Sequence, residues 1–515
     1  MKKKLIPFVL LFLFGLSSCE KNNETTLVLN EKEVFANEID AKEQFAIILS
    51  KAIFENEVLR KFIKDEALRM VNSDYDVFYP FVKDEILTNN LTFRQNILKF
   101  SDEKTLEKIE NQLPLLTIFI PTLPSGFSPV KWDSKSEIPM VTVAGNFKNN
   151  ELAFFQKGIE KIKIKSDEIP GFPTLVVKSN ERIQLNVESV IAGFKLANVK
   201  KNNYSFISER FDNTKSNVDN LSIQAKANVG LTSLSSVIWG GRKTSVELSG
   251  ADMSAAGLFP SFVAGKVMTG DNWQRDNIYY DLTPTSDKGK FITHYREFIH
   301  YISISESGYN LMTNTNSDPD DPTLTPIAQS VSKFWSDGYF EIRFDVLSNS
   351  KSGEGEVITD IISVKPQDLF DIEYESAVWI YRVKKITPKF AKVDIPLQAW
   401  DLENVTYGWK ISVSELDQQS TTTINTTLTS KFATNFGIDN SLGGKVKLGL
   451  KFGASAEVGS SKSHTIAIQN TSDQLGDVLV YFGDKISLGQ SGLNFVFNTP
   501  YNSNISMLIA PKRIY

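Results

Sequence analysis

Cysteine and histidine are scarce in this chain. Its 515 residues include one cysteine, Cys19, and three histidines, His294, His300 and His464. One cysteine cannot form a disulfide within the chain, so stability has to come from the size of the hydrophobic core. His294 and His300 lack the spacing of a helical zinc motif, and no further histidine is near them. The sequence therefore gives no indication of a zinc enzyme.

Several other functional signatures are absent. The chain has no Gly-x-Ser-x-Gly segment and no phosphate-binding Gly-x4-Gly-Lys loop. Its basic residues do not form a stripe interleaved with aromatics, so nucleic acid is not an expected partner. After residue 18 no stretch reaches about 18 consecutive apolar residues, and no transmembrane helix is predicted. A catalytic pair of carboxylates stays open, because the spacing of such a pair is spatial rather than linear.

The first nineteen residues have the pattern of a secretion signal. Three lysines at positions 2–4 precede an apolar run from Leu5 to Leu16, and Leu16-Ser17-Ser18-Cys19 ends the segment. A basic start, a short apolar core and small residues before a cleavage site are typical of such signals. The run is also too short for a stable membrane span.

The last four residues of this segment resemble the lipobox of bacterial lipoproteins, which reads Leu-Ser/Ala-Gly/Ala/Ser-Cys. The resemblance implies a signal peptide over residues 1–18 and acylation of Cys19 with palmitate or a similar lipid. Glu20 stands where an aspartate would favour inner-membrane retention, so the outer membrane is the implied location and the leaflet is left open. The alternative is a chance cysteine after an ordinary cleavable signal.

The rest of the pattern predicts a multidomain, mainly β protein. Apolar residues first recur at helical spacing, as in Leu59, Ile63 and Ala67, and short β-rich runs bounded by Gly, Pro and Asn follow. The predicted segments are a lipidated tether at 19–30, a small α-helical N-terminal domain at 31–113, a β-rich region at 114–313, an acidic linker at 314–322, a C2-like β-sandwich at 323–419 and a C-terminal β-region with a long amphipathic hairpin at 420–515. The segments LLTIFIP at 115–121 and LVVKSNER at 175–182, after the helices, are similar to the front half of several uncharacterised secreted bacterial proteins.

Calcium is the only cofactor that the sequence suggests. Alternating residues at 339–346 and 409–415, with acidic turns, resemble a C2-type β-sandwich, whose acidic loops bind calcium. The linker also carries oxygen ligands at alternate positions, although it is not an EF-hand. The alternative is a solvated acidic surface. The candidate ligands are Asp318, Asp320, Asp401, Glu403, Glu415 and Asp417.

Residues 423–458 have a strict two-residue period. Apolar side chains occupy even positions on both sides of a predicted turn at 439–444, and Ser, Thr, Gly and Lys dominate the odd positions. This pattern resembles the insertion hairpins of aerolysin-type pore-forming proteins. The resemblance implies that Leu448, Leu450 and Phe452 face lipid. The alternative is an amphipathic hairpin that lies over the protein's own core.

A third candidate site lies at 271–281, where aromatic residues alternate with amides and acids. Trp273 and Tyr279 could stack on a sugar ring while their neighbours bind its hydroxyl groups. The same residues also suit a strand with a buried tryptophan.

These observations favour a non-catalytic binding or interaction protein, anchored in the outer membrane by its N-terminal lipid. Its expected partners are a glycan or a protein at the cell surface. The second hypothesis is a β-pore-forming protein that inserts the hairpin at 423–458. The third is a hydrolase that uses two carboxylates.

Overall fold

The fold is mainly β, as predicted, with several separate sheets and nine α-helices in the part described. Cys19, Trp273, Asp318, Asp320, Asp417, Leu450 and Phe452 all lie outside that part. The computed structural model describes residues 37–144, 151–165, 168–186, 201–214, 236–239, 242–255, 258, 274–283, 285–286, 288–312, 335, 338–350, 355–416, 421–433, 437–439, 446–448, 456–469 and 473–514.

The elements alternate between one helical region near the N-terminus and many short strands. The helices are α1 Glu38–Glu55, α2 Glu57–Leu68, α3 Tyr79–Val82, α4 Phe93–Leu98, α5 Glu103–Gln112, α6 Gly250–Ala255, α7 Gln274–Tyr280, α8 Glu306–Met312 and α9 Pro366–Leu369, with 3-10 helices at Lys201–Asn203 and Glu209–Phe211. The strands of the first half are β1 Asp76–Phe78, β2 Leu116–Phe119, β3 Met140–Val143, β4 Glu151–Gln156, β5 Ile159–Lys165, β6 Ile169–Pro170, β7 Thr174–Ser179, β8 Ile183–Leu185, β9 Tyr204–Phe206, β10 Ser236–Trp239 and β11 Arg242–Leu248. Those of the second half are β12 Tyr295–Ile304, β13 Phe340–Asn349, β14 Gly355–Val364, β15 Phe370–Ala377, β16 Ile380–Pro388, β17 Ala391–Pro396, β18 Gly408–Glu415, β19 Thr421–Ala433, β20 Gly437–Asp439, β21 Val446–Leu448, β22 Ala456–Gln469, β23 Gln474–Tyr481, β24 Ser487–Ser491, β25 Asn494–Asn498 and β26 Ile505–Arg513.

Side-chain caps define where the N-terminal helices begin. The Asn37 side chain accepts a hydrogen bond from the Asp40 backbone N–H at 2.8 Å, so Asn37 is the N-cap of α1. A true capping box is found at α4, where Thr92 and Gln95 bind each other's backbone N–H groups.

The helices cover a six-stranded sheet with the order β1-β2-β7-β3-β4-β5. Its pairs are antiparallel except β3 with β7, which run parallel. Helix α1 packs on the centre of this sheet, against β3, β4 and β7. Its buried face includes Phe45, Leu49 and Ile53, which carry the helical spacing.

Strand pairing crosses the predicted boundary at residue 113. Strand β1 lies among the helices in the sequence, yet it pairs with β2 on the other side of that boundary, with Val77 opposite Ile118. The helices bury their apolar stripe on the sheet and not on one another alone. Residues 37–186 thus form one α/β unit, because neither layer can bury its apolar face without the other.

Of the smaller sheets in the described part, four contain three or four strands, and strands distant in sequence pair in each. Their strand orders are β10-β11-β25-β24, β17-β12-β26, β14-β13-β18-β23 and β15-β16-β6. Strand β26 runs beside β12 from Tyr295↔Arg513 to Ile304↔Ile505. Strand β16 adds to β6, which belongs to the N-terminal half of the chain.

Described strands of the predicted C2-like segment at 323–419 also pair with strands outside that segment. Strands β13, β14 and β18 share their sheet with β23, at 474–481. Strand β17 pairs with β12, at 295–304, and β16 pairs with β6. The strand pattern was informative, but the partners of these strands lie on both sides of the segment.

The long C-terminal hairpin is present. Strands β19 and β22 pair from Thr421↔Gln469 to Ala433↔Ala456, and the shorter β20 and β21 pair nearer the turn. The return arm extends to Gln469, eleven residues beyond the predicted end at 458. Leu428 is buried against Leu347 and Val357, while its neighbour Thr427 is exposed. At this point the hairpin covers the sheet of β13 and β14 with its even-numbered face.

One hydrophobic cluster runs through the described part of the chain, from Ala41 in α1 to Ala510 in β26. At its centre in the C-terminal half, Trp400 and Trp409 stack with ring centroids 3.6 Å apart. Among the described residues, no helix combines the length and the apolar character needed to cross a membrane.

Candidate functional site

A buried cluster of charges lies where the N-terminal unit meets the C-terminal sheets. Asn72 and Asp74 come from the turn between α2 and β1, and Asp76 is the first residue of β1. Lys178 lies in β7, Arg182 follows that strand, and Glu341 belongs to β13. Each member is less than a tenth exposed. We call it the Arg182 cluster; its members are Asn72, Asp74, Asp76, Lys178, Arg182 and Glu341.

Arg182 is the centre of this cluster. Its Nε donates to Glu341 Oε1 at 2.7 Å, and its Nη1 donates to the Asn72 carbonyl at 3.0 Å. Its Nη2 lies 3.5 Å from Asp74 Oδ2. The guanidinium also lies 4.6 Å from the centroid of the Tyr339 ring. Arg182 therefore joins residues of three chain segments in one hydrogen-bonded network.

The electrostatics of the cluster favour one neutral carboxyl group. Burial raises the pKa of Asp74 to about 7, against the opposing pull of Arg182 and with the help of the Asp76 charge. Burial also disfavours charge on Arg182, but Glu341 and Asp74 hold its pKa above the ordinary value. A carboxyl group with a raised pKa can be a general acid. Here it faces protein on all sides, so the geometry is that of a structural ion-pair network.

A second buried ion pair accounts for part of the predicted glycan site. Arg275 Nε donates to Glu297 Oε1 at 2.8 Å, and the Tyr279 hydroxyl lies 3.4 Å from the same oxygen. Residues 274–280 form helix α7 and not the expected strand. Tyr279 is fully buried in this structure, and glycan binding by this segment stays a prediction.

His300 is also used inside the protein. It occupies a bulge in β12, where the register with β26 shifts between Ile299 and Tyr301. Its Nδ1 lies 3.2 Å from Asp394 Oδ1 and its Nε2 lies 3.1 Å from the Ala510 carbonyl oxygen. Burial opposes ionisation of Asp394, but the bond to His300 and nearby lysines hold its pKa below the ordinary value. Both imidazole nitrogens thus have partners within the fold.

The predicted calcium ligands do not converge where the structure describes them. Asp401 and Glu403 lie beside the Asn349 end of β13, since the Thr406 N–H donates to the Asn349 carbonyl. Glu415 lies opposite Ile342 of β13. Ile342 and Asn349 are seven residues apart in that strand, which corresponds to about 23 Å. The described residues contain no group of three or more potential ligands able to hold a metal ion. In the described part Asp401 and Glu403 thus lie apart from Glu415, and calcium binding by the predicted ligands stays a prediction.

Comparison with known proteins gives no assignment. The chain matches no protein-family model, no curated protein and no solved structure. The charged groups of the buried clusters pair with one another, so contacts with a partner fall to residues on the surface.

The most distinctive described surface feature is the turn between β15 and β16. Ala377 pairs with Ile380, so Val378 and Trp379 alone form a two-residue turn. Val378 is 89% exposed and Trp379 is 65% exposed. From Ser376 to Tyr381 the chain carries no charged side chain. We call residues Ala377–Tyr381 the hairpin tip.

The backbone of the hairpin tip is fixed on the protein. Ile380 and Tyr381 pair with Pro170 and Ile169 of β6. The Gly171 N–H donates to the Trp379 carbonyl at 2.8 Å. A Cβ atom on Gly171 would lie 2.9 Å from that carbonyl oxygen, closer than side chains are found to approach. Only glycine permits this contact without a shift of the backbone.

Sequence reasoning missed the hairpin tip. The segment from Phe370 to Pro388 contains none of the Gly, Asn or Asp-Gly signals that mark a two-residue turn. The available signal was the charge pattern, because acidic residues alternate along β15 and basic residues follow in β16 around an uncharged centre. For the predicted membrane-inserting hairpin the structure gives little side-chain information, since Leu448 is described only as a backbone position in β21.

Proposed function

We propose that this protein is a lipid-anchored, non-catalytic binding protein of the bacterial outer membrane. The observation that carries the proposal is Leu16-Ser17-Ser18-Cys19, in which the only cysteine of the chain stands at the acylated position of a lipobox. In such a protein the lipid would hold the chain at the membrane, and the folded part would bind the partner.

The distribution of charge in the fold supports this proposal. The strongly interacting groups of the described part, Arg182 with Glu341 and Arg275 with Glu297, neutralise each other inside the core. Their role there is to hold distant segments together. The groups left for contact with a partner are on the surface, and the exposed apolar tip at Val378 and Trp379 is the clearest of them.

Metabolic labelling tests the anchor. The full chain, with its own signal, would be expressed in a bacterium with two membranes and fed a clickable palmitate analogue. We expect label on the wild type and no label on Cys19→Ser, because the thiol is the acceptor. Ser17→Ala is the matched control, since alanine is also accepted at that lipobox position. Label on Cys19→Ser, or none on the wild type, would contradict the proposal.

Separation of the two membranes by density tests the location. The labelled wild type should follow the outer membrane. Replacement of Glu20 by aspartate should move it toward the inner membrane, because aspartate at that position favours retention. A wild-type protein found in the inner membrane would exclude the outer-membrane part of the proposal and leave the anchor intact.

Pore formation is a second candidate because of the hairpin. Strands β19 and β22 form a two-stranded sheet of their own, with thirteen paired residues along β19. A membrane-spanning strand needs only about 9–11 residues. The packing of Leu428 on Leu347 opposes insertion, so the hairpin would first have to leave the sheet that it covers.

Leakage from dye-loaded vesicles decides between the two functions. A pore former should release dye, and Leu450→Asp or Phe452→Asp should stop the release by placing charge on the lipid-facing side. Leu428→Ala should increase the release, because it weakens the contact that holds the hairpin down. No release by either the wild type or Leu428→Ala would remove pore formation as a candidate.

A further inference from the structure

We propose that the hairpin tip inserts Val378 and Trp379 into the interfacial layer of the membrane to which the protein is anchored. The inference deepens the proposed function and rests on it, because it names the membrane surface as the partner of the exposed tip. The lipid at Cys19 would be one attachment and the hairpin tip a second.

The residues of the turn are the first argument. Two-residue hairpin turns favour Gly, Asn and Asp, because these residues tolerate the required backbone angles. Here a β-branched valine and a tryptophan occupy both positions, and neither has the positive φ for which those residues are favoured. The turn thus forms with ordinary backbone angles, and its geometry does not require either side chain. The exposed apolar pair is available for contact with something outside the described fold.

The rigidity of the backbone is the second argument. The Gly171 N–H and the pairing with β6 hold the Trp379 carbonyl in place. The exposed side chains are thus presented from a fixed frame and do not result from a frayed loop end. Because the backbone is already fixed, less conformational entropy is lost when the side chains of Val378 and Trp379 enter the membrane.

The shape and composition of the tip favour lipid over a protein partner. Two exposed side chains offer roughly 300 Å², since an aromatic side chain buries about 150–250 Å². A stable protein interface needs about 800 Å² from each partner. Tryptophan and tyrosine are enriched where membranes meet water, and Trp379 is followed two positions later by Tyr381. The tip is convex and uncharged, which suits shallow insertion between lipid headgroups.

The length of the predicted tether lets both attachments act together. The described fold begins at Asn37, eighteen residues after Cys19. An extended chain spans at most about 3.3–3.6 Å per residue, so the tether reaches up to about 60 Å. Asn37 lies near Ser179, at the opposite end of β7 from the Gly171 contact, since Glu38 accepts a hydrogen bond from the Ser179 hydroxyl. The tether is long enough to bring the tip down to the bilayer.

Site-specific coupling provides the test. The mature chain from residue 19 would be attached through its single thiol to maleimide-bearing lipids in neutral phosphatidylcholine vesicles. The acyl chains would carry bromine, which quenches tryptophan by contact. The chain has seven tryptophans in total. The difference spectrum between wild type and Trp379→Phe isolates the fluorescence of Trp379 from that of the other six. We expect this difference to be quenched by more than half and shifted to shorter wavelength.

The expected result does not depend on salt, because the tip has no charge. Leu493→Ser is the matched control: Leu493 is 92% exposed in another hairpin turn, and its loss should leave the quenching unchanged. Val378→Ser should reduce the quenching of Trp379. Each of these variants should keep the wild-type melting temperature, since the side chains are outside the core.

An unquenched Trp379 would overturn the inference and leave a protein as the partner of the tip. Equal loss of quenching in Leu493→Ser, or loss in high salt, would also overturn it. The coupling chemistry supplies the anchor in every case. Failure of native acylation at Cys19 and failure of the tip are therefore separate results.

Discussion

Arg182 shows how much of this fold depends on a single side chain. It follows β7 in the sequence and pairs with Glu341, 159 positions later. Asp74 approaches it from a third segment, past Gly338, whose φ of +100° and contact with the Asp74 carboxylate suit glycine alone. The segment LVVKSNER at 175–182, which contains Arg182, thus has a structural role.

Glu341→Gln should strongly destabilise the protein. The substitution leaves the charge of Arg182 buried with a weakened counter-ion, and breaking such a pair costs about 3–5 kcal/mol. Denaturant unfolding followed by circular dichroism would measure the change in free energy of unfolding.

Asp360→Asn is the control for this experiment. Asp360 also forms a two-point ion pair, with Arg210, but that pair is partly exposed. We expect a cost below about 1 kcal/mol. Equal costs in the two variants would show that burial does not govern the strength of these pairs.

Asp74 should make stability depend on pH. An unfolded aspartate has a pKa of about 3.9, whereas burial raises the pKa of Asp74 to about 7 in the fold. Between these values the folded state binds more protons than the unfolded state, so this group's contribution falls as pH rises and is constant above about pH 7.5. Asp74→Asn should flatten that part of the profile, measured as free energy of unfolding at pH 5, 6, 7 and 8. A profile with the same slope in both proteins would contradict the assignment.

The strands of the C-terminal half show what alternation in sequence can and cannot reveal. Residues 339–346 and 409–415 alternate, and the pattern identified β13 and β18 as strands. The alternation also predicts that one face of each strand is exposed to solvent, yet nearly every position of both strands is buried. The polar positions are satisfied inside, as in Asp345 with Arg343, and the long hairpin covers part of the sheet. Sequence alone could not reveal this cover, because it comes from a hairpin that begins about 70 residues after the end of β13.

The candidate sites illustrate the same limit. Leu59, Ile63 and Ala67 lie in helix α2 and β19 pairs in a hairpin as predicted, because local spacing determines both. The calcium ligands were placed together on the assumption of a closed sandwich, and the pairing of β18 with β23 breaks that assumption. The hairpin tip was missed because its residues contradict the turn rules on which the prediction relied.

Gly171→Ala should loosen the hairpin tip. The added methyl group would lie 2.9 Å from the Trp379 carbonyl oxygen, so the backbones must separate. Overpacking of this kind costs about 1–3 kcal/mol. Hydrogen exchange should become faster at Ile380 and Tyr381, the residues that pair with β6.

Gly250→Ala is the matched control. Gly250 begins helix α6, and a methyl group there meets no atom within 4 Å. This variant should match the wild type or gain slightly in stability, since alanine favours helix. Unchanged exchange in Gly171→Ala would mean that the tip is not held by the Gly171 contact.

At the scale of the whole molecule, long-range pairing replaces separable domains. Most of the described core belongs to one large cluster, and strands β25 and β26 pair with β11 and β12, about 250 and 210 residues earlier respectively. The expected division into a helical domain, a sandwich and a C-terminal region followed the order of the sequence. The fold instead closes across that order.

Removal of residues 505–515 should therefore prevent folding well beyond the deleted strand. Without β26, strand β12 loses one of its two partners and exposes an unpaired edge. We expect aggregation on size-exclusion chromatography and loss of the near-ultraviolet tryptophan signal. Removal of Tyr515 alone is the control and should have no such effect. A monomeric, fully folded truncated chain would contradict this description of the core.

The pairing of β26 with β12 also sets an order of events during synthesis. At about 5–20 residues per second, the segment between the two strands takes about 10–40 s to make. Throughout that time β12 lacks its later neighbour, and the sheet cannot close. The position of the closing strand thus keeps this sheet incomplete until synthesis of the chain is nearly finished.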